Sequence, residues 1–171
     1  MTIKSRHIYL AIGIGSIAVL AVNIMYFQDY LGLRPYSLCV LQRIAYLLIA
    51  VTALAAVPRD PRRRQPALAD SLLLAWSVLG VMLAGWQIWF NYSQAAAECS
   101  IGAADKFLQV LPLAKWWPAM FASGADCAKH EWTLLQLSIP DLSMIAFVAI
   151  AVLSIVGAKR KRRESARMMF S

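Results

Sequence analysis

Charged side chains are scarce in this chain: they make up 15% of its 171 residues, and only nine residues are acidic. A soluble domain carries about 25% charged residues, and its surface needs more polar side chains than this chain supplies. Hydrophobic residues instead reach 60%, with a mean hydropathy of +0.59. Lipid must therefore cover much of the surface, which excludes a soluble enzyme and a disordered chain.

Four apolar stretches are long enough to cross a bilayer, because about 30 Å of hydrocarbon requires about 20 helical residues. They lie at 8–27, 38–57, 72–90 and 142–158. The first follows Lys4 and Arg6, as the apolar part of a signal peptide would, but it is too long for one and Asn23 interrupts it. We predict an all-α membrane protein, a single domain over 1–171 that forms a four-transmembrane-helix bundle.

The basic residues indicate how these helices are oriented. They concentrate before the first stretch, in loop 58–71 and after residue 158, whereas loops 28–37 and 91–141 carry few. The positive-inside rule places both termini and loop 58–71 in the cytoplasm and the other two loops outside. The basic tail is thus attributed to topology, and no binding of nucleic acid is predicted.

Histidine is scarce as well, and the topology separates the two that are present. His7 lies on the cytoplasmic side and His130 lies in the outer loop. A metal site gathers several ligands at one place, so we predict no metal site.

Loop 91–141 is too long for a simple connection and is expected to have structure of its own. Its residues 107–121 are rich in apolar side chains and include the pair Trp116 and Trp117. This composition favours a short segment lying flat at the membrane interface, with ordinary anchoring by interfacial aromatic residues as the alternative. Both interpretations keep the loop near the mouth of the helix bundle.

The chain has three cysteines, Cys39, Cys99 and Cys127, and the topology places all of them at or beyond the outer membrane face. Cysteines that serve only for packing would be scattered through the helices, so this distribution favours redox chemistry. A disulfide between Cys99 and Cys127 would reduce the conformational entropy of the unfolded chain and so raise its free energy by about 3.6 kcal/mol. Their spacing alone fits a structural disulfide equally well, and an odd number of cysteines leaves at least one thiol free or intermolecular.

Cys39 has a particular setting near the start of the second helix. Pro35 marks that start, so the thiol lies in the first turns, where the positive end of the helix dipole favours the thiolate. Arg43 lies one turn further on the same face and would stabilise the thiolate. An arginine inside a membrane helix is costly, which favours a functional role over snorkelling to the interface. Asn23 and Gln87 are also polar within the spans and are expected to form hydrogen bonds between helices.

Together, four helices, a Pro-x-x-x-Cys-x-x-x-Arg start to the second helix and an outer loop with two separated cysteines resemble the DsbB family of disulfide bond formation proteins. The matching segments are Arg34-Pro-Tyr-Ser-Leu-Cys-Val-Leu-Gln-Arg43, Val110-Leu-Pro-Leu-Ala-Lys-Trp-Trp-Pro118 and Ala122-Ser-Gly-Ala-Asp-Cys127, followed by Trp132 and Pro140. With the helix pattern, the resemblance covers nearly the whole chain.

This resemblance implies a protein-disulfide oxidase of the bacterial inner membrane. Such an enzyme reoxidises a periplasmic, thioredoxin-like oxidase of the DsbA type and passes the electrons to a membrane quinone, either ubiquinone or menaquinone. DsbA is a strong oxidant, so only a strong acceptor such as a quinone can keep it oxidised. Cys99 and Cys127 match the loop pair that exchanges with the partner, with Cys99 forming the mixed disulfide. Cys39 matches the cysteine beside the quinone, and Arg43 matches the arginine that helps to hold it.

One departure from the family bears on catalysis. Tyr36 stands where the family has the first cysteine of a Cys-x-x-Cys pair, so Cys39 has no disulfide partner within its own helix. In the family this missing thiol accepts electrons from the loop pair, and its absence should interrupt transfer to the quinone. The chain is then either a substituted form held in one redox state or a natural variant in which Cys39 pairs transiently with Cys127 or Cys99.

Two smaller departures concern the quinone. Gln42 replaces an acidic residue of the family, and Tyr92 lies near the position of a histidine that is close to the quinone in the family. The type and affinity of the quinone are therefore left open.

The alternative function is a non-catalytic membrane scaffold or chaperone-like protein. In that case Cys99 and Cys127 form a structural disulfide and Cys39 is unpaired. Binding of quinone discriminates between the two hypotheses. A small transporter is less favoured, because it would need discontinuous helices or inward-facing charge near the middle of the membrane.

Overall fold

The computed structural model of the chain describes residues 5–30, 37–58, 66–92, 121, 133–134 and 137–169. Four long helices dominate these residues. They are α1 (Ser5–Ala21), which continues directly as a π-helix (Val22–Tyr30), α2 (Ser37–Ala56), α3 (Pro66–Tyr92) and α4 (Ile139–Met169). Each contains a segment long and apolar enough to cross a membrane, which confirms the predicted all-α, four-helix membrane fold.

Two helices extend beyond the apolar stretches predicted for them. Helix α3 begins at Pro66 rather than at 72, since proline at the first helical position has the required φ angle and lacks only an N–H that would have no partner there. Helix α4 continues past 158 to Met169 through the basic segment. Lysine and arginine are good helix formers, and their charges are favourable near a helix C-terminus. The start of α3 and the end of α4 thus follow from the local helix propensity of residues beyond the predicted apolar stretches.

A small hairpin precedes α4 and was not predicted. It pairs β1 (Thr133–Leu134) with β2 (Leu137–Ser138) in antiparallel register. The carboxylate of Asp141 accepts hydrogen bonds from the backbone N–H of Ser138 at 2.9 Å and from its hydroxyl at 2.6 Å. Asp141 is the third residue of α4, and Ser138 is the residue just before the helix. A side chain at the third helical position that accepts from the residue before the helix satisfies a backbone N–H that would otherwise have no partner. The contact therefore fixes the point at which α4 begins.

The four helices pack as an antiparallel bundle in which each contacts the next and α4 returns to contact α1. Hydrogen bonds also join the helices that lie diagonally across the bundle, α1 with α3 and α2 with α4. Tyr9 of α1 donates to Asp70 of α3 at 2.5 Å, and Tyr46 of α2 donates to the backbone carbonyl of Ser143 in α4 at 3.2 Å. The ring of Tyr46 also stacks on that of Phe147, with 4.1 Å between centroids and 14° between planes. These contacts tie all four helices to one core.

A buried charged cluster lies at the end of the bundle where α1 begins. The ammonium of Lys161 is 3.9 Å from the Asp70 carboxylate and 5.1 Å from the centre of the Tyr9 ring. Both charged side chains are largely buried, and a buried charge is tolerated when it is paired. The cluster connects α1, α3 and α4 at this end.

The outward faces of the helices are apolar. Large apolar side chains are exposed there, among them Met25, Met82 and Trp89, each of which is more than 60% exposed. Soluble monomers rarely expose large contiguous patches of such residues. Buried serines lie inside instead, and Ser77 and Ser154 satisfy their hydroxyls on the carbonyl of the preceding turn of their own helices. This arrangement suits a bundle whose outer surface is covered by lipid.

Candidate functional site

The candidate site is built on one face of α2, close to where that helix begins. Cys39, Gln42, Arg43 and Tyr46 follow one another at helical spacing, which places them on the same side. Cys39 is half-buried, and the other three are buried. This face therefore points into the bundle, where the side chains can contact α1, α3 and α4.

The sulfur of Cys39 contacts a glutamine from the last turns of α3. The side-chain N–H of Gln87 donates to Cys39 Sγ at 3.1 Å, and the Oε1 of the same amide lies 3.6 Å from the sulfur. Gln42 in turn donates from Nε2 to Gln87 Oε1 at 2.9 Å. The prediction that Gln87 forms hydrogen bonds between helices is confirmed, and its partner is the thiol of the candidate site.

Arg43 is 4% exposed and reaches across to the end of the first helix. Its Nη2 donates to the backbone carbonyl of Asn23 at 3.4 Å. Asn23 belongs to the π-helix, a geometry that often accompanies functional sites. Because Arg43 is buried, its side chain does not snorkel to the membrane interface.

Asn23 bonds to another helix through its backbone carbonyl and, among the residues that the structure describes, not through its side chain as expected. Its Nδ2 donates to the carbonyl of Val19 at 3.0 Å, within its own helix, rather than to a neighbouring helix. The backbone carbonyl of Asn23 makes the contact with α2 instead. An asparagine within a helix can always bond to the preceding turn, and this local alternative competes with contacts between helices.

These contacts determine what the site can do chemically. A thiol sulfur can undergo thiol–disulfide exchange, and the adjacent amide and guanidinium N–H groups can stabilise an anion or bind a carbonyl oxygen. Among the residues that the structure describes, no group of three or more histidine, cysteine, aspartate or glutamate side chains is placed to hold a metal ion. The arrangement suits redox chemistry at the Cys39 sulfur, with neighbouring N–H donors that can bind a molecule that accepts hydrogen bonds.

Two of the predicted site residues, Cys99 and Cys127, lie outside the described residues, as does Tyr36. Their pairing and their relation to Cys39 remain predictions. From the predicted interfacial segment 107–121, Phe121 is described; it is 8% exposed and belongs to the hydrophobic core of the bundle. A residue of the long loop thus packs against the helices, as expected for a loop held near the mouth of the bundle.

Sequence reasoning missed the connection from Gln42 through Gln87 to Cys39. The available signal was the amide of Gln87 within an apolar span, because a polar group in a membrane requires a hydrogen-bond partner. That signal identifies a group in need of a partner but does not say which helix supplies it.

The chain was compared with known proteins. The family model described as "Disulfide bond formation protein DsbB" matches residues 5–157. Disulfide bond formation protein B of Nitrosomonas europaea is 38% identical over 142 residues, covering 81% of this chain and 87% of the relative. The protein of the same name from Nitrosospira multiformis is 39% identical over 150 residues, covering 88% and 89%.

A more distant relative extends the same match. Disulfide bond formation protein B 1 of Pseudomonas aeruginosa is 31% identical over 157 residues, covering 91% of this chain and 96% of the relative. The region matched by the family model includes the first three spans, the start of α2 and the fourth span as far as residue 157. The family supports a role as a disulfide oxidoreductase, and the four apolar helices agree with a multi-pass membrane protein. The chain belongs to the DsbB family of membrane disulfide bond formation proteins.

Proposed function

We propose that the chain is a quinone-linked thiol oxidase of the bacterial inner membrane. It reoxidises a periplasmic, thioredoxin-like oxidase of the DsbA type, and both of its termini lie in the cytoplasm. The observation that carries the proposal is the pair Cys39 and Arg43, one turn apart on the buried face of α2, with the amide of Gln87 donating to the sulfur. A charged arginine inside a membrane bundle is costly, and an ionisable residue in such a place indicates a functional site.

The residues around Cys39 fit a quinone. The carbonyl oxygens of a quinone accept hydrogen bonds, and the buried guanidinium of Arg43 is a strong donor within the membrane-spanning part of α2. The apolar outer surface of the bundle suits an isoprenoid tail. Arg43 and Cys39 would hold the quinone head group, which supplies an acceptor for two electrons and two protons. Ubiquinone and menaquinone are both compatible with this chemistry.

Exchange with the partner is assigned to Cys99 and Cys127. A thiolate of the reduced partner attacks their disulfide and forms a mixed disulfide with Cys99, releasing the Cys127 thiolate. The second partner thiolate then attacks the mixed disulfide and releases Cys99. The partner gains a disulfide, and the loop pair gains two electrons. Tyr36 removes the thiol that would accept these electrons, so a transient disulfide between Cys39 and Cys127 or Cys99 would have to take its place. Its formation from two thiols would release two electrons and two protons, which the quinone would take up, and attack by the remaining loop thiolate would restore the loop disulfide and release Cys39.

The experiment that tests the proposal is oxidation of a reduced DsbA-type partner by the chain in detergent with added quinone. The Tyr36→Cys variant is assayed in parallel, and loss of partner thiols is followed. Quinone-dependent turnover by the chain with Tyr36 is the expected result. Turnover only by the Tyr36→Cys variant would show that the chain is a substituted form held in one redox state. No turnover by either protein would favour a non-catalytic membrane scaffold. Each of these two results would overturn the proposal for this chain.

A further inference from the structure

The amide of Gln87 bridges two different groups. Its Nε2 faces the sulfur of Cys39 at 3.1 Å, and its Oε1 accepts from Gln42 Nε2 at 2.9 Å. Gln42 and Gln87 are 4% and 7% exposed. The bond between the two glutamines is therefore shielded from bulk water, and a hydrogen bond in so dry an environment is stronger than in water, whereas the bond to Cys39 is partly buried.

The contact between the two glutamines determines which end of the Gln87 amide meets the sulfur. A carboxamide has a donor end and an acceptor end, and only the donor end stabilises a negative charge. Because Gln42 donates to the acceptor end, the donor end is the closer of the two to Cys39 Sγ, at 3.1 Å against 3.6 Å for Oε1, to which the protonated thiol can donate. A hydrogen bond to an ionised group is worth about twice a bond between neutral groups.

We propose that Gln87 is a positioning residue that stabilises the thiolate of Cys39 and that Gln42 acts through it by holding the orientation of its amide. The inference rests on the proposed function only in taking Cys39 as a reacting thiol. It adds two uncharged residues, from α2 and α3, that set how readily this thiol ionises. The contact between Gln42 and Gln87 is distinct from the bond that Arg43, on the next turn, donates to α1.

The test is the rate at which Cys39 is alkylated by iodoacetamide in the fully reduced, full-length chain in detergent. Labelling of the peptide that contains Cys39 is followed by mass spectrometry. The thiolate is the reacting species, and this variant loses a hydrogen bond to a charged group, so Gln87→Met should slow alkylation at neutral pH about tenfold or more. Gln42→Met should slow it less, because the Gln87 amide can then rotate but is still present.

A pH profile distinguishes this role from a structural one. Once Cys39 is ionised in every variant at high pH, the rates should converge, whereas altered access to the thiol would keep them apart at all pH values. The double variant should react no more slowly than Gln87→Met alone, since Gln42 acts through Gln87. Ser77→Ala is the matched control, because it removes a buried polar group of α3 that bonds within its own helix; its rate should be unchanged.

Several outcomes would overturn the proposal: an unchanged rate in Gln87→Met, a difference that persists at high pH, or additive effects in the double variant. If Gln87→Met does not fold, Gln42→Met still tests the orientation of the amide, and an unchanged rate there would count against it. The assay uses neither quinone nor partner protein. Failure of quinone-dependent turnover would therefore overturn the proposed function and leave this inference standing, and the reverse also holds.

Discussion

Arg43 carries a permanent charge in a segment that spans the membrane, and it is buried among the helices. Such a residue persists where its donors are satisfied. A guanidinium has five N–H donors in a rigid plane, and Nη2 is directed to the carbonyl of Asn23. It can therefore keep this contact with α1 while another of its donors binds a quinone carbonyl.

Replacement of Arg43 by alanine should weaken quinone binding while the chain remains inserted. Removal of the guanidinium takes away a charge-assisted hydrogen bond, so we expect the quinone Kd to rise about tenfold or more. Insertion should persist, because removing a charge makes α2 more compatible with lipid. The measurement is a quinone titration of the purified protein in detergent.

Arg162→Ala is the matched control for this prediction. Arg162 is exposed and lies in the basic segment of α4, at the other end of the bundle. Its removal should leave the quinone Kd unchanged. An unaltered Kd in Arg43→Ala would remove Arg43 from the proposed quinone site.

At the level of elements, the close packing of α3 against α4 depends on a residue without a side chain. A Cβ built at Gly80 would overlap the ring of Phe147, and this ring stacks on Tyr46 of α2. Gly80 thus permits an aromatic side chain of α4 to lie against the backbone of α3. Small residues commonly have this role where membrane helices meet, because the helices gain little from the hydrophobic effect and depend on close packing.

Gly80→Ala should destabilise the bundle, even though alanine favours a helix over glycine by about 1 kcal/mol. The added methyl group would displace Phe147 from its stacking position, and overpacking of this kind costs about 1–3 kcal/mol. The measurement is the loss of helical structure on titration with a denaturing detergent. Gly85→Ala is the control on the same helix, because nothing lies within 4 Å of a Cβ at that position. Equal stability of the two variants would contradict the prediction.

Over the whole molecule, the basic residues that the structure describes, apart from Arg43, lie at the opposite end of the bundle from the candidate site. Arg6 is near the start of α1, and the basic segment 159–163 lies in the later part of α4, at the same end as the start of α3. Cys39 and Gln87 meet at the other end. By the positive-inside rule we expect the end that holds the sulfur to face the periplasm, on the side of the proposed DsbA-type partner.

This orientation predicts the result of reporter fusions in a bacterial cell. Green fluorescent protein fused after Ser171 should fluoresce, because it matures in the cytoplasm, and alkaline phosphatase at that position should be inactive. Phosphatase fused after residue 104, in the loop predicted to lie outside, provides the matching control and should be active. The reverse pattern would contradict the predicted topology.

The four helices and the shared helical face of Cys39 and Arg43 could be predicted from the amino-acid sequence. Both are local properties: the hydropathy of about 20 residues sets a membrane span, and a spacing of four residues sets a shared face. The motifs shared with the DsbB family depend likewise on short segments. None of these features requires knowing how one helix is rotated relative to another.

The contacts between side chains of different helices could not be predicted in this way and follow from the three-dimensional packing. This packing brought Gln87 to Cys39, the carbonyl of Asn23 to Arg43, and Phe147 into the space left by Gly80. Membrane helices are apolar on most sides, so the hydrophobic pattern does not show which face is buried, as it does in a soluble amphipathic helix. The rotation of each helix follows from packing and from the few polar contacts between helices, and these depend on residues far apart in the chain.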